Sequence, residues 1–141
     1  MRQHSRFALV AAGVFALAAL GVPQAVVAAE PGSREAIDQA AAVNTELALA
    51  YMREGNLKAA REKIDKALQQ DARTANTQMA AGFVYDKLGD KKKALSHFEQ
   101  AVKLGGKDNP DVVANAAVYF CMNGEPKRGE QYMLQAAASP L

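Results

Sequence analysis

Few side chains in this sequence are of a type that does covalent or acid–base chemistry. Beyond the N-terminal stretch there is one histidine, His97. Acid–base catalysis and metal binding both need converging partners, and none stands at helical spacing from His97. Its position predicts a surface residue. Cys121 is the single cysteine of 141 residues, so one chain can build neither a disulfide framework nor a cysteine-based zinc site. Cys121 is expected to be a small buried helical residue, with pairing to a second chain as the alternative. Leu104-Gly105-Gly106-Lys107-Asp108 has the glycines and lysine of a phosphate-binding loop but lacks the strand such a loop follows. Neither a serine nucleophile elbow nor a zinc-protease motif is present. The expectation is a protein that is not an enzyme, with no catalytic, metal or cofactor-binding residues.

Composition narrows the alternatives. Lys and Arg number 17 against 15 Asp and Glu, and Arg2 and Arg6 supply the whole surplus. A nucleic-acid-binding body needs excess positive charge to displace counterions, so nucleic acid is not an expected partner. Arg2, His4 and Arg6 precede an apolar run from Phe7 to Val22. At about 1.5 Å per residue that run spans roughly 24 Å, short of the roughly 30 Å hydrocarbon core. Pro23 and Gln24 interrupt it, and Val27-Ala28-Ala29 supplies the small residues that a signal peptidase reads. Residues 1–29 are therefore expected to be a cleaved signal peptide, with a retained N-terminal membrane anchor as the alternative. The product would be exported to the periplasm, with no membrane span after cleavage. No cysteine follows the apolar run, so lipid attachment at that place is not expected.

The elements that position everything else come from an internal repeat. Leu47-Ala48, Tyr51, Gly55, Ala60, Ile64 and Ala67 recur as Ala81-Gly82, Tyr85, Gly89, Ala94, Phe98 and Ala101, each offset by 34 residues. A third copy, Ala116-Ala117, Phe120, Gly124, Gly129, Met133 and Ala136, is offset by 35. A period of 34 is that of tetratricopeptide repeats, each a pair of antiparallel helices. The expected fold is all-α, with helical hairpins stacked in a short right-handed superhelix. Repeats are expected at 41–74, 75–108 and 110–141 after an N-terminal segment at 30–40. Helices are predicted near 35–54, 57–70, 75–88, 91–104, 110–123 and 126–138. Small residues let the helices approach; Tyr51, Tyr85 and Phe120, with Ile64, Phe98 and Met133, fill the space between them. Gly55, Gly89 and Gly124 should end the first helices in the left-handed conformation, with Asn56 and Asp90 capping the second.

In such stacks the first helices line the concave face. The groove-facing positions would be Thr45, Leu49, Met52 and Arg53 in the first repeat. Asn76, Met79, Phe83, Asp86 and Lys87 follow in the second, and Asp111, Ala114, Val118, Cys121 and Met122 in the third. This stripe leans apolar and is rich in adaptable methionine, which suits a groove for an extended or helical peptide; packing inside the stack is the alternative for several of them. The carboxylate clamp of chaperone-binding repeats needs more Lys and Asn than Asn76, Arg53 and Lys87 provide. Arg61, Glu62, Lys63, Asp65 and Lys66, like Lys91-Lys92-Lys93, are expected to form a solvated outer face.

The stretch from Asn44 to Lys63, the run Asn109-Pro110-Asp111-Val112 with Asn115 and Tyr119-Phe120-Cys121, and the ending from Gln131 to Leu141 resemble the type IV pilus biogenesis and stability proteins of the PilW/PilF type. The resemblance covers roughly residues 36–141. It implies a periplasmic pilotin-like scaffold whose partner is an outer-membrane secretin or another pilus assembly component. A general periplasmic adaptor or chaperone-like protein in envelope assembly is the alternative. The family's lipobox cysteine is missing, so outer-membrane anchoring is not carried over, and the chain is shorter than is usual there. The last helix presents Tyr132, Met133 and Leu134 where a terminal repeat should be polar. Self-association through residues 127–141 is therefore expected.

Overall fold

The computed structural model describes residues 30, 32–105 and 108–138. The expected signal segment 1–29 and the ending 139–141 lie outside them. Six helices run through the described residues in three antiparallel pairs. They are α1 (Arg34–Arg53) with α2 (Leu57–Gln70), α3 (Ala75–Lys87) with α4 (Lys91–Gly105), and α5 (Pro110–Met122) with α6 (Pro126–Ala137). Each lies within a residue or so of the span that the repeat predicts.

The turn inside each hairpin is built the same way. Gly55, Gly89 and Gly124 have φ of 78°, 81° and 88°, a conformation cheap for glycine and costly for residues with a Cβ. The next residue then returns an amide hydrogen bond to the aromatic of the first helix. Asn56 N donates to Tyr51 O at 2.9 Å, Asp90 N to Tyr85 O at 2.9 Å and Glu125 N to Phe120 O at 3.0 Å. The side chains of Asn56 and Asp90 accept from Ala59 N and Lys93 N. Glu125 makes no side-chain cap, and Pro126 opens α6 instead.

Hairpins stack so that the first helices α1, α3 and α5 contact one another in order, while α2 meets α3 and α4 meets α5. Ile64, Val84, Phe98, Val113 and Phe120 are fully buried in one continuous core. Phe98 sits at its centre, 5.1 Å from the Phe83 ring and 4.2 Å from the Tyr119 ring between centroids. A Cβ on Gly82 would stand 2.9 Å from Phe98, so the small residue there is what admits the ring. Gly129 is just as constrained. A Cβ there would meet Cys121 Sγ and lie 2.8 Å from the Ala117 carbonyl oxygen.

Three expectations change. Met133 does not fill the core as Ile64 and Phe98 do: it is 45% exposed. α6 packs on α5, and among the described residues no later helix covers its outer side. His97 is half-buried and not a surface residue, because its ring stacks on Tyr85 with centroids 5.3 Å apart and its Nδ1 lies 2.7 Å from Gln78 Oε1. Cys121 is exposed and not buried; it faces α6 at the Gly129 crossing and not the concave face.

Candidate functional site

The concave face formed by α1, α3 and α5 carries two adjoining cavities. The first, of about 330 Å³, is lined by Thr45, Glu46 and Leu49 of α1, Asn76, Met79, Ala80 and Phe83 of α3, and Asn109, Asp111, Val112 and Asn115 around the start of α5. The second, of about 500 Å³, lies towards the far ends of α3 and α5. It is lined by Phe83, Asp86, Lys87, Lys91, Asn115, Val118, Tyr119, Met122 and Asn123. Phe83 and Asn115 line both, which makes one continuous groove. Along α5 it runs from Asp111 to Met122, about 16 Å at 1.5 Å per residue. That length matches roughly five residues of extended peptide at 3.3 Å each.

The groove has two chemically different ends. The first has carboxylates (Glu46, Asp111) and amides (Asn76, Asn109, Asn115) around an apolar floor. The second sets Lys87 and Lys91 beside the apolar side chains of Phe83, Val118 and Met122. Met122 is 79% exposed, a large apolar side chain held in water. Asp86 is already engaged, accepting from the Tyr119 hydroxyl at 2.8 Å. Burial and that carboxylate hold the Tyr119 phenol well above its ordinary range, so it stays a neutral donor. Lys91 Nζ donates to Asn123 Oδ1 at 2.8 Å, bridging α4 to the end of α5.

Of the expected groove residues, the structure brings Leu49, Asn76, Met79, Phe83, Asp86, Lys87, Asp111, Val118 and Met122 to the lining of one cavity or both. Thr45 lines the first cavity but is buried, its hydroxyl donating to Ala41 O and sharing a hydrogen bond with Thr77 at 3.1 Å. Met79 is 8% exposed and forms floor more than rim. Met52 packs against the core instead of entering either cavity. Arg53 is exposed in the last turn of α1, outside both. Ala114 and Cys121 likewise contribute to neither. Sequence reasoning missed Glu46, Ala80 and Asn115, three residues at one repeat position immediately after Thr45, Met79 and Ala114. It also missed Lys91, assigned to a solvated charge run.

A second polar cluster lies away from the groove, between α2, α3 and α4. The Tyr85 hydroxyl donates to Asp65, and Lys93 Nζ lies 4.7 Å above the Tyr85 ring. Asp65 is thus tied into the stack and is not merely part of a solvated face. Burial and the Asp65 carboxylate push the Tyr85 phenol up to about 12. Burial, aided by Lys93, pushes the His97 imidazole down from its ordinary value. Both rings are thereby held neutral near pH 7 and serve as packing with a polar edge. Among the described residues no group of three or more His, Cys, Asp or Glu could hold a metal ion.

A stack of helical hairpins at a 34-residue period, presenting a mixed groove on its first helices, is a tetratricopeptide repeat protein. Residues 39–105 match the family model for that repeat. The fold resembles the structure of Pseudomonas aeruginosa PilF, with a TM-score of 0.66 and 23% identity over 73% of this chain and 46% of that one. An uncharacterized protein of Haemophilus influenzae is 32% identical over 101 residues, 72% of this chain and 56% of its own length. The chain thus spans about half the length of each of these two proteins. Among the described residues no helix is long and apolar enough to cross a membrane.

Proposed function

We propose that the chain is a periplasmic tetratricopeptide scaffold, without catalysis of its own, that helps assemble a type IV pilus secretin by holding a segment of its partner in the concave groove. The observation that carries this reading is the continuity of the groove through Phe83 and Asn115, on the fold shared with PilF. Glu46 and Asp111 favour a basic residue at one end of the bound segment. Lys87 and Lys91 favour an acidic one at the other, with an apolar side chain between them against Val118 and Met122. The two ends would set the direction of the peptide, while the charge-balanced body gives no long-range attraction.

The test is capture of a secretin from envelope extract by the purified protein, repeated with Met122→Glu. Capture by the parent and its loss in the variant are expected, with helicity unchanged because Met122 is so exposed. Deletion of the gene should reduce secretin multimers and surface pili. Normal pili together with a general envelope defect would replace this reading with that of a general envelope adaptor.

A further inference from the structure

Among the described residues, the two ends of the stack expose matching apolar faces. On α1, Val43 and Leu47 are 58% and 37% exposed, and Ala50 is partly exposed beside them. Their counterparts one repeat later, Thr77, Ala81 and Val84, are buried against the preceding hairpin. On α6, Met133 and Leu134 are 45% and 66% exposed. Met133 stands where Ile64 and Phe98 are buried against the following hairpin. The α6 face is therefore one half of the junction that joins the hairpins internally, and the α1 face is the other half.

We infer that these faces mate between two copies of the chain, α6 of one copy on α1 of the next, continuing the hairpin stack head to tail. Continuity with the two internal junctions supports a second copy as occupant. The repeat register translates each internal contact to the new junction. Phe98 against Tyr119 becomes Met133 against Ala50 of the next copy. The ion pair of Glu99 with Arg128 becomes Leu134 against Ala59. The hydrogen bond of Asp86 with Tyr119 becomes Cys121 against Ala50, and that of Thr45 with Thr77 becomes Ala114 against Val43. Each of these polar links is replaced by an apolar pair. Asp65 with Tyr85 becomes Leu134 against Tyr51, and Lys91 with Asn123 becomes Pro126 beside the exposed Glu54. None of these contacts leaves a buried charge unpaired, which would be strongly destabilising. Leu47, larger than Ala81, offsets the loss of bulk at Ala50. The contact is heterologous, so it leaves one free face at each end and grows open chains in place of closed dimers.

The experiment is sedimentation velocity of the purified protein across a micromolar-to-millimolar series, with Leu47→Glu and Leu134→Glu studied singly and mixed. The parent should show a mass that rises with concentration without stopping at two copies. Each variant lacks one face and should be monomeric, with unchanged circular dichroism because both sites are exposed. Each also keeps the face that the other has lost, so an equimolar mixture should form dimers and stop there. A parent that stays monomeric throughout overturns the inference. So does a single variant that still dimerises, which would mean that like faces pair. So does a mixture that shows no dimer, which would mean that the faces do not meet.

Discussion

Phe98 in the second hairpin and Met133 in the third stand at the same repeat position. Phe98 has no exposed surface and Met133 is 45% exposed. One position further on, Glu99 pairs with Arg128 while Leu134 faces water. The hairpins share a turn geometry, so local sequence does not explain the contrast. What differs is the neighbour. The second hairpin has α2 on one side and α5 on the other; among the described residues the third is covered on one side. In a linear stack, stability is the sum of what each hairpin supplies and what each junction adds. A residue's energetic weight is therefore set by how many junctions it serves.

The largest expected effect tests that directly. Phe98→Ala should lose about 3–5 kcal/mol in urea unfolding, the usual cost of emptying a large aromatic site. Met133→Ala should lose well under about 1 kcal/mol, since surface changes rarely exceed 0.5 kcal/mol. Equal losses would break the comparison. A smaller effect reads the inside of the third hairpin. Gly129→Ala gains helix propensity of about 1 kcal/mol, yet its methyl would press on the Ala117 carbonyl and the Cys121 backbone. A net loss of about 1–3 kcal/mol is expected, because backbone cannot move aside as a flexible side chain can. A net gain would show that α5 and α6 can separate.

Tyr119→Phe comes next, removing the hydrogen bond to Asp86 across the second junction. About 1 kcal/mol of stability should disappear, with the unfolding cooperativity unchanged. The smallest effect is pH-dependent. Burial lowers the His97 pKa in the folded state, so the unfolded chain takes up that proton first as pH falls. Stability from this group is present above its ordinary value, about 6.5, and is lost as pH drops below it. Asp65 and Asp90 oppose the shift more weakly than burial and Lys93 produce it. His97→Gln should flatten the decline in urea midpoint between about pH 7 and 5. The equivalent residue in the third hairpin is Tyr132 and not a second histidine, so this histidine-linked acid sensitivity belongs to the central hairpin.

Much of the fold was legible because its signals are local. A glycine that needs positive φ and an Asn or Asp that caps the next helix act within one turn of chain, and both recur at fixed spacing. The groove was legible in part for the same reason, since helical periodicity fixes which residues of α3 and α5 share a face. Asn115 and Glu46 escaped because the groove is wider than one stripe of positions. Lys91 escaped because a charge run hides the one lysine that reaches Asn123. Met52, His97, Cys121 and Met133 turned on what packs beside them. A helical pattern alone does not carry that information, and a tyrosine twelve residues before His97 gives no warning that the two rings stack.

The order of helix contacts has a kinetic consequence. Each helix touches partners in its own hairpin or the adjacent one, so no contact requires closure of a loop across the whole chain. Low sequence separation of contacts favours fast folding, and in such stacks structure can start at any hairpin and spread outwards. Opening should run in reverse, from the ends inwards. Amide protons of α6 should exchange with solvent long before those of α3, and a bound second copy should slow that exchange first.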